Sequence, residues 1–139
     1  MKKVTIIIPN YNGLSFLETC LKALAVQTTK EFDLLVVDNG SDDGSASWLK
    51  EHKIPGIFLP ENLGFSGAVN AGIRKAKTPY VILLNNDTEA EPAYVERLVR
   101  AIEASPRIFS VSPKMIQMYH RERIDDAGDM YSVMGWAYQ

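Results

Sequence analysis

An unbroken apolar run, Tyr80 to Leu84, ends abruptly in the polar segment Asn85-Asn86-Asp87-Thr88-Glu89. A strand that is apolar on both faces is typical of the interior of a parallel sheet, because helices cover both faces of such a sheet. Open parallel sheets bind ligands beyond the carboxyl ends of their strands. We therefore predict that residues 80–84 form an interior parallel strand and that Asp87 lies where a ligand binds.

The same arrangement occurs three more times along the chain. Apolar runs at 4–8, 34–37 and 57–59 lead into segments rich in Asn, Asp and Gly at 9–13, 38–44 and 62–67. The carboxyl ends of parallel strands meet at one edge of a sheet. This pattern predicts one polar rim that is assembled from four separated loops.

Segments with helical spacing separate these runs. We predict helices at 15–26, 45–52, 67–76 and from Pro92 to about 102, and a fifth strand from Ile108 to Val111. Ser15 and Glu18 have the spacing of a capping box, and Gly72 weakens its helix by roughly 1 kcal/mol unless close packing requires it. The alternation of strands and helices with short connections predicts an α/β fold with right-handed crossovers.

Composition excludes several classes of protein. The chain has 139 residues, 46% of them hydrophobic, and a formal net charge of −2. These values predict a globular domain and argue against a nucleic-acid partner, because such proteins usually carry a basic face. Cys20 is the only cysteine, so no internal disulfide forms, and the apolar start before Pro9 is too short for a signal peptide. We expect a cytoplasmic location.

The periodic pattern ends after Pro113. Residues 114–139 alternate polar and apolar side chains without a clear period. We therefore expect a nucleotide-binding portion at 1–113, followed at 114–139 by the start of a second region, in what looks like the front part of a longer protein.

Two common nucleotide-binding motifs are missing. The first strand is followed by Pro9-Asn10-Tyr11-Asn12-Gly13, which is not the G-x-G-x-x-G fingerprint, and the chain has no Gly-Lys-Ser/Thr tripeptide. A nucleotide site would therefore be built from side chains. The Asp38 carboxylate can accept a hydrogen bond from the N3 imide of uracil or thymine, Tyr11 can stack on the base, and Asn10 or Asn12 can contact base or ribose. The alternative is that these residues only stabilise turns.

Asp87 also has two interpretations. Mg²⁺ and Mn²⁺ favour a carboxylate together with phosphate oxygens, so Asp87 can bind a divalent cation that is shared with a diphosphate. Alternatively, Asp87 caps the helix that follows it.

Four motifs together resemble family 2 glycosyltransferases. They are Ile8-Pro9-Asn10-Tyr11-Asn12, the segment 36–44 with Asp38-Asn39-Gly40-Ser41, the segment 62–72 beginning Asn62-Leu63-Gly64, and Leu84-Asn85-Asn86-Asp87-Thr88. The resemblance extends over roughly residues 3 to 113, and within the family it is closest to the bacterial rhamnosyltransferase-like branch.

The resemblance implies a GT-A fold, a Rossmann-like three-layer α/β/α arrangement with a mostly parallel central sheet. By this analogy Asp38 reads the base and Asp87 is the metal ligand, at the family's Asp-x-Asp position, for Mg²⁺ or Mn²⁺. The other residues that it assigns to nucleotide binding are Pro9, Tyr11, Asn12, Asn62, Gly64, Asn70, Asn85 and Asn86. Asn85 replaces the first aspartate of that motif, which removes one negative charge.

The activity that the resemblance implies is an inverting transfer, of hexosyltransferase type, from a UDP- or dTDP-sugar to a glycan or lipid-linked acceptor. Such transfers belong to bacterial cell-wall or polysaccharide biosynthesis and would occur in the cytoplasm, with the inner membrane face as an option for a full-length protein.

No convincing catalytic base is present, because the late cluster Asp125, Asp126 and Asp129 is more typical of a solvated or acceptor-side loop. The chain is thus expected to bind donor, and the open alternatives are a non-catalytic nucleotide-binding module and a receiver-like signalling domain.

Overall fold

The computed structural model describes residues 2–126, 130–131 and 137–138. The chain divides into two compact units, Met1–Val95 and Glu96–Gln139. The functional boundary that we place at residue 113 stays a prediction.

The first unit is built on a four-stranded parallel sheet. Its strands are β1 (Val4–Asn10), β2 (Phe32–Asp38), β3 (Gly56–Phe58) and β4 (Tyr80–Leu83). They lie in the order β3-β2-β1-β4, and every neighbouring pair is parallel. The register places Asn10 beside Asp38, so the polar ends of β1 and β2 lie at the same edge of the sheet. The predicted parallel α/β architecture is confirmed.

β1 occupies the interior of this sheet, and β4 does not. β1 pairs with β2 on one side and with β4 on the other, and its side chains Ile6, Ile7 and Ile8 are 0% exposed. Val81 and Leu83 of β4 are 41% and 46% exposed. The prediction of an interior strand at residues 80–84 is therefore wrong for the described part of the chain. An apolar run shows only that its side chains are hydrophobic. The position of the strand in the sheet depends on which other strands pair with it.

The helices agree with the predicted segments to within a few residues. They are α1 (Leu14–Ala25), α2 (Ser45–Glu51), α3 (Gly64–Lys75) and α4 (Tyr94–Ile102). α3 begins earlier than predicted, because Gly64 adopts φ +72° and donates its N–H to the Asn62 side-chain oxygen at 2.8 Å. Pro92 lies in the turn before α4 rather than inside its first turn.

The capping box predicted for Ser15 and Glu18 does not form. Helix α1 begins after Gly13 without a cap from its own side chains, and Glu18 instead pairs with Lys22 at 2.8 Å. The acceptor comes from a distant loop, because Asp43 Oδ2 accepts the Leu14 N–H at 2.9 Å. A tertiary contact thus replaces the local one that the sequence pattern predicts.

Gly72 is needed for close packing, as its position in a helix indicated. A Cβ at this site would lie 2.5 Å from Ile7 Cγ2 and 3.2 Å from Val37 Cγ2. The missing side chain therefore lets α3 approach β1 and β2. Ala68 of the same helix packs into the core cluster that Ile7 and Val37 form.

In the second unit, the described residues form short strands and the remainder of α4. β5 (Met115–Ile116) pairs antiparallel with β6 (Ile124–Asp126), and β7 (Met130–Tyr131) pairs antiparallel with β8 (Ala137–Tyr138). The fifth strand predicted at 108–111 is wrong. The Ile108 N–H donates to the Ser105 carbonyl at 3.0 Å, so it serves a turn, and Phe109 is 98% exposed.

Candidate functional site

A cleft of about 320 Å³ opens at the carboxyl ends of the parallel strands in the first unit. Its lining comes from the end of β1, from the loops after β1, β2, β3 and β4, and from the start of α3. It consists of Pro9, Asn10, Tyr11, Asn39, Asn62, Gly64, Phe65, Ala68, Asn85, Asn86 and Asp87. The loops that the sequence pattern predicted to meet therefore do meet at one polar rim. This is the position at which open parallel sheets bind their ligands.

Most of the predicted site residues lie in this lining. Those that do are Pro9, Tyr11, Asn62, Gly64, Asn85, Asn86 and Asp87. Three others, Asn12, Asp38 and Asn70, lie outside it, and Asn70 is an exposed residue of α3. The structure brings seven of the ten predicted residues together in the cleft, while the individual binding roles remain predictions.

Asp38 is anchored to Asn10, which is one of the residues that line the cleft. Its side chain is 2% exposed. Asn10 donates from Nδ2 to Asp38 Oδ1 at 3.1 Å, and the Ser41 N–H donates to Asp38 Oδ2 at 3.2 Å. A carboxylate has about four lone-pair positions, so each oxygen retains capacity for a further donor. Both oxygens are held in fixed directions by these protein contacts.

Asn39 joins two of the loops that form the rim. Its Nδ2 donates to Asn62 Oδ1 at 2.8 Å and to the Gly64 carbonyl at 3.1 Å, and its Oδ1 accepts the Leu63 N–H at 2.9 Å. Asn39, Phe65 and Ala68 line the cleft although they were not predicted as site residues. An Asn-Gly pair after a strand looks like an ordinary turn, and nothing local reveals that its amide reaches a loop 23 residues further along the chain.

The contacts of Asn12 support the alternative in which this residue stabilises a turn. It adopts φ +50°, which asparagine tolerates better than most residues. Its Oδ1 accepts the Asp42 N–H at 2.9 Å, and its own N–H donates to Ser41 Oγ at 3.0 Å. The side-chain oxygen of Asn12 is therefore already used to hold the loop after β2.

Asp87 is exposed in the cleft and does not cap α4. That helix begins at Tyr94, whose N–H donates to the Glu91 carbonyl at 2.9 Å, and the Val95 N–H donates to Gln27 Oε1 at 3.0 Å. The capping alternative for Asp87 is wrong, because Gln27 from the end of α1 supplies the acceptor. The segment carrying Asp87 is instead anchored by Thr88, whose hydroxyl donates to the Asn85 carbonyl at 2.7 Å.

The cleft offers few ligands for a metal ion. Among the residues that the structure describes, no group of three or more His, Cys, Asp or Glu side chains is arranged to hold one. Asp87 provides a carboxylate, and Asn85 and Asn86 provide amide oxygens. Mg²⁺ is commonly held by one or two carboxylates while substrate phosphates and water complete its coordination. These residues therefore fit Mg²⁺ or Mn²⁺ only if a diphosphate supplies the other oxygens.

Comparison with known sequences identifies the family. The profile described as "Glycosyl transferase family 2" matches residues 5–126, which is most of the chain. The chain belongs to glycosyltransferase family 2. The resemblance that the four motifs indicated is thereby confirmed, and the rhamnosyltransferase-like branch stays a prediction.

Bacterial glycosyltransferases are among the curated relatives of this family 2 chain. It is 37% identical over 106 residues to glycosyltransferase GlyA of Streptococcus pneumoniae, covering 72% of this chain and 15% of that protein. It is 35% identical over 112 residues to the undecaprenyl-phosphate 4-deoxy-4-formamido-L-arabinose transferase of Photorhabdus laumondii, covering 74% of this chain and 34% of that protein. The chain thus spans about a third or less of the length of these relatives.

Solved structures with the same fold include two nucleotide complexes. Staphylococcus aureus TarS 1–349 in complex with UDP has a TM-score of 0.66 at 22% identity, over 73% of this chain and 32% of that one. The mannosyltransferase PcManGT from Pyrobaculum calidifontis, in complex with GDP-Man and Mn²⁺, has a TM-score of 0.66 at 27% identity, over 75% of this chain and 33% of that one. The GT-A fold that the resemblance implied is confirmed.

Proposed function

We propose that this chain forms the donor-binding part of a glycosyltransferase that takes sugar from a UDP- or dTDP-linked donor. The observation that carries the proposal is the cleft at the carboxyl ends of the parallel strands, where Tyr11, Asp87 and a set of asparagines meet in a family 2 chain. The acceptor we propose is a growing glycan or a lipid-linked sugar of the bacterial surface. Two relatives support this class of acceptor by their names. One is the undecaprenyl-phosphate 4-deoxy-4-formamido-L-arabinose transferase described above, and the other is the teichoic acid poly(glycerol phosphate) polymerase of Staphylococcus epidermidis.

The proposed selectivity for uracil or thymine depends on Asp38. Its carboxylate can only accept hydrogen bonds, and both oxygens are already oriented by Asn10 and Ser41. Uracil and thymine present a donor at N3, whereas cytosine presents an acceptor there. A fixed carboxylate beside the cleft residue Asn10 therefore favours UDP or dTDP over CDP, because a buried acceptor without a donor is costly.

Two aromatic side chains provide apolar surface for the base. Tyr11 is 51% exposed and Phe65 is 60% exposed, and both line the cleft. Aromatic faces of this kind stack on a planar heterocycle. Burial of these rings by a bound nucleotide would remove exposed apolar surface from water.

The diphosphate is assigned to the rim formed by Asn85, Asn86 and Asp87. These residues would hold Mg²⁺ or Mn²⁺ together with the phosphate oxygens, and the ion would neutralise charge that develops on the departing nucleoside diphosphate. Because Asn85 supplies an amide where a second carboxylate is expected, the protein contributes little charge to this interaction. We expect metal affinity to be low without nucleotide and to rise when the diphosphate is present.

We propose inversion at the anomeric carbon, with a base outside the donor cleft deprotonating the acceptor hydroxyl. The hydroxyl oxygen then bonds to the anomeric carbon from the face opposite the bond that breaks to the nucleoside diphosphate. Asp125 is exposed in the second unit, the side chain of Asp126 lies outside the description, and Asp129 falls outside the described residues. The base therefore has no assigned residue.

A non-catalytic nucleotide-binding module is the second candidate. Asn85 and the single cleft carboxylate, Asp87, favour it. A longer protein that binds the donor and transfers no sugar to any acceptor preparation would support this candidate. Family membership, together with the four-loop cleft, makes a receiver-like signalling domain the weakest interpretation.

We propose a cytoplasmic location, with the inner face of the membrane as the place where lipid-linked acceptors are reached. None of the helices in the described part of the chain combines the length and apolar character required to traverse a bilayer. The location remains a proposal, to be tested by fractionating cells that express the full-length protein.

The test of the proposed function is calorimetric titration of this chain with UDP, dTDP and CDP, first with Mn²⁺ and then with EDTA. We expect UDP or dTDP to bind more tightly than CDP and to bind more tightly with Mn²⁺ than with EDTA. Equal binding of all three nucleotides would contradict the role of Asp38. Equal binding with and without metal would remove Asp87 as a ligand, and no binding of any nucleotide would contradict the proposed function of this chain.

A further inference from the structure

A network of side-chain hydrogen bonds runs along the cleft from the loop after β4 to the end of β2. Asn86 Nδ2 donates to Asn10 Oδ1 at 2.7 Å. Asn10 Nδ2 in turn donates to Asp38 Oδ1 at 3.1 Å and to Ser41 Oγ at 3.4 Å. Three loops that are far apart in sequence are thus linked through one carboxamide.

Asn10 lines the cleft, but its side-chain donors and acceptor are engaged by other protein groups in this network. Its side chain is 2% exposed. Both N–H groups of its carboxamide have acceptors within the protein, and its oxygen accepts from Asn86. Unlike Asn86, which is partly exposed at the rim, Asn10 has no free donor to offer to a nucleotide.

The absence of a side chain at Gly13 leaves space for the hydrogen bond between Asn86 and Asn10. A Cβ at Gly13 would lie 2.1 Å from Asn86 Nδ2 and 2.8 Å from Asn10 Oδ1. Its φ of −118° is open to any residue, so the need for glycine comes from space and not from backbone conformation. Glycine at this position permits the contact between Asn86 and Asn10.

We propose that Asn10 is a positioning residue that couples the two ends of the donor site. It orients the Asp38 carboxylate at the base end and, through Asn86, anchors the segment that carries Asp87 at the diphosphate end. This proposal rests on the proposed function, because it assumes that Asp38 faces the base and that Asp87 faces metal and diphosphate. Its consequence is that loss of Asn10 impairs both ends, although Asn10 itself contacts neither ligand.

Two affinity ratios report the two ends separately. The base ratio is the affinity for UDP divided by that for CDP, and the metal ratio is the affinity for UDP with Mn²⁺ divided by that with EDTA. Partial unfolding lowers all apparent affinities by the same factor, so it changes neither ratio. A residue that only stabilises the fold therefore leaves both ratios unchanged.

We expect Asn10→Ala to lower both ratios, each by about five- to tenfold, which is the size of effect of losing one oriented hydrogen bond. Asp38→Asn should lower only the base ratio, and Asp87→Asn should lower only the metal ratio. Gly13→Ala should lower both ratios, and the metal ratio more than the base ratio, because its Cβ would lie 2.1 Å from Asn86 Nδ2 and 2.8 Å from Asn10 Oδ1.

Gln27→Ala is the matched control. Gln27 is also an amide that is 2% exposed, and it makes three hydrogen bonds, to the Ala23 and Glu91 carbonyls and from the Val95 N–H. Its removal should destabilise the fold and leave both ratios unchanged.

The proposal is overturned if Asn10→Ala leaves either ratio within twofold of the unmutated chain while Asp38→Asn and Asp87→Asn have their expected effects. That result would assign Asn10 to one loop alone or to folding alone. An unmutated chain that binds no nucleotide would instead overturn the proposed function, and the coupling proposal would fall with it. The two failures are therefore distinguishable.

Discussion

At the scale of single residues, the asparagines of the strand ends divide into two groups. Asn85 and Asn86 present polar atoms at the cleft rim, whereas the side chains of Asn10, Asn12 and Asn39 form hydrogen bonds to other loops. The amide is suited to both tasks because it donates and accepts at once. Turn stabilisation and a place in the cleft are therefore compatible, since Asn10 holds the cleft residue Asn86 in position.

Cys20 gives a prediction on alkaline stability. The thiol is buried in α1 near the loop after β4, and this burial raises its pKa from an ordinary value of 9.0 to about 11. Between pH 9 and pH 11 the unfolded chain therefore loses a proton that the folded chain keeps, and stability falls as the pH rises. Urea unfolding across this range should show a steeper loss of stability for the unmutated chain than for Cys20→Ala.

Tyr94 provides the internal reference for that comparison. Burial also raises the pKa of Tyr94, to about 12, and this residue is the same in both proteins. Its contribution between pH 10 and pH 12 is therefore shared by both proteins, except for the smaller part of the pKa shift that the charge of Cys20 causes. Parallel stability profiles for the two proteins would show that the Cys20 thiol ionises alike in the folded and unfolded chains.

At the scale of secondary structure, the loop after β2 organises two helices. Asp43 Oδ2 accepts the Leu14 N–H at the start of α1, and Asp43 Oδ1 accepts the Ser45 N–H at the start of α2, both at 2.9 Å. Burial acts to raise the pKa of Asp43, but hydrogen bonds from the Ser45 hydroxyl and from the backbone outweigh it and lower the pKa. The stabilisation by Asp43 is present above the ordinary pKa of 3.8 and is lost as the pH falls below it.

We expect Asp43→Ala to destabilise the fold by about 1–2 kcal/mol at neutral pH, because one carboxylate serves both helix starts. The measurement is the free energy of unfolding in urea. Asp42→Ala is the matched control, since the neighbouring Asp42 takes part through its backbone N–H, which the substitution keeps. Equal losses for the two variants would contradict the capping role of Asp43.

At the scale of the whole molecule, the candidate site belongs entirely to the first unit. Every cleft residue lies between Pro9 and Asp87, within the unit Met1–Val95. The chain therefore carries this cleft within about a third or less of the length of the relatives named above.

This confinement predicts that a chain ending at Pro113 keeps its nucleotide site. We expect its calorimetric Kd for UDP to agree within about twofold with that of the 139-residue chain, since none of its cleft contacts is removed. Circular dichroism would establish that the shortened chain is folded. A large loss of affinity in a folded chain would show that residues 114–139 shape the cleft and would contradict the boundary at 113.

Much of the fold and part of the site could be predicted from sequence. The periodicity of apolar residues and the polar segments after each run identified strands β1 to β4, helices α1 to α4 and the rim where their loops meet. The physical reason is that these signals are local, because side-chain periodicity is set by backbone geometry over a few residues. Residues 80–84 and 108–111 show the limit of such signals, since β4 lies at an edge of the sheet and 108–111 forms no strand.

The contacts that shape the site depend instead on distant parts of the chain. Asn86 and Asn10 are 76 residues apart, Asn10 and Asp38 are 28 apart, and Asp43 caps a helix that begins 29 residues before it. Sequence determined which polar side chains stand at the strand ends, because strand ends follow from local pattern. Only the packed chain determines which of them bind one another and which remain open to a ligand, because hydrogen bonds require atoms to meet in space.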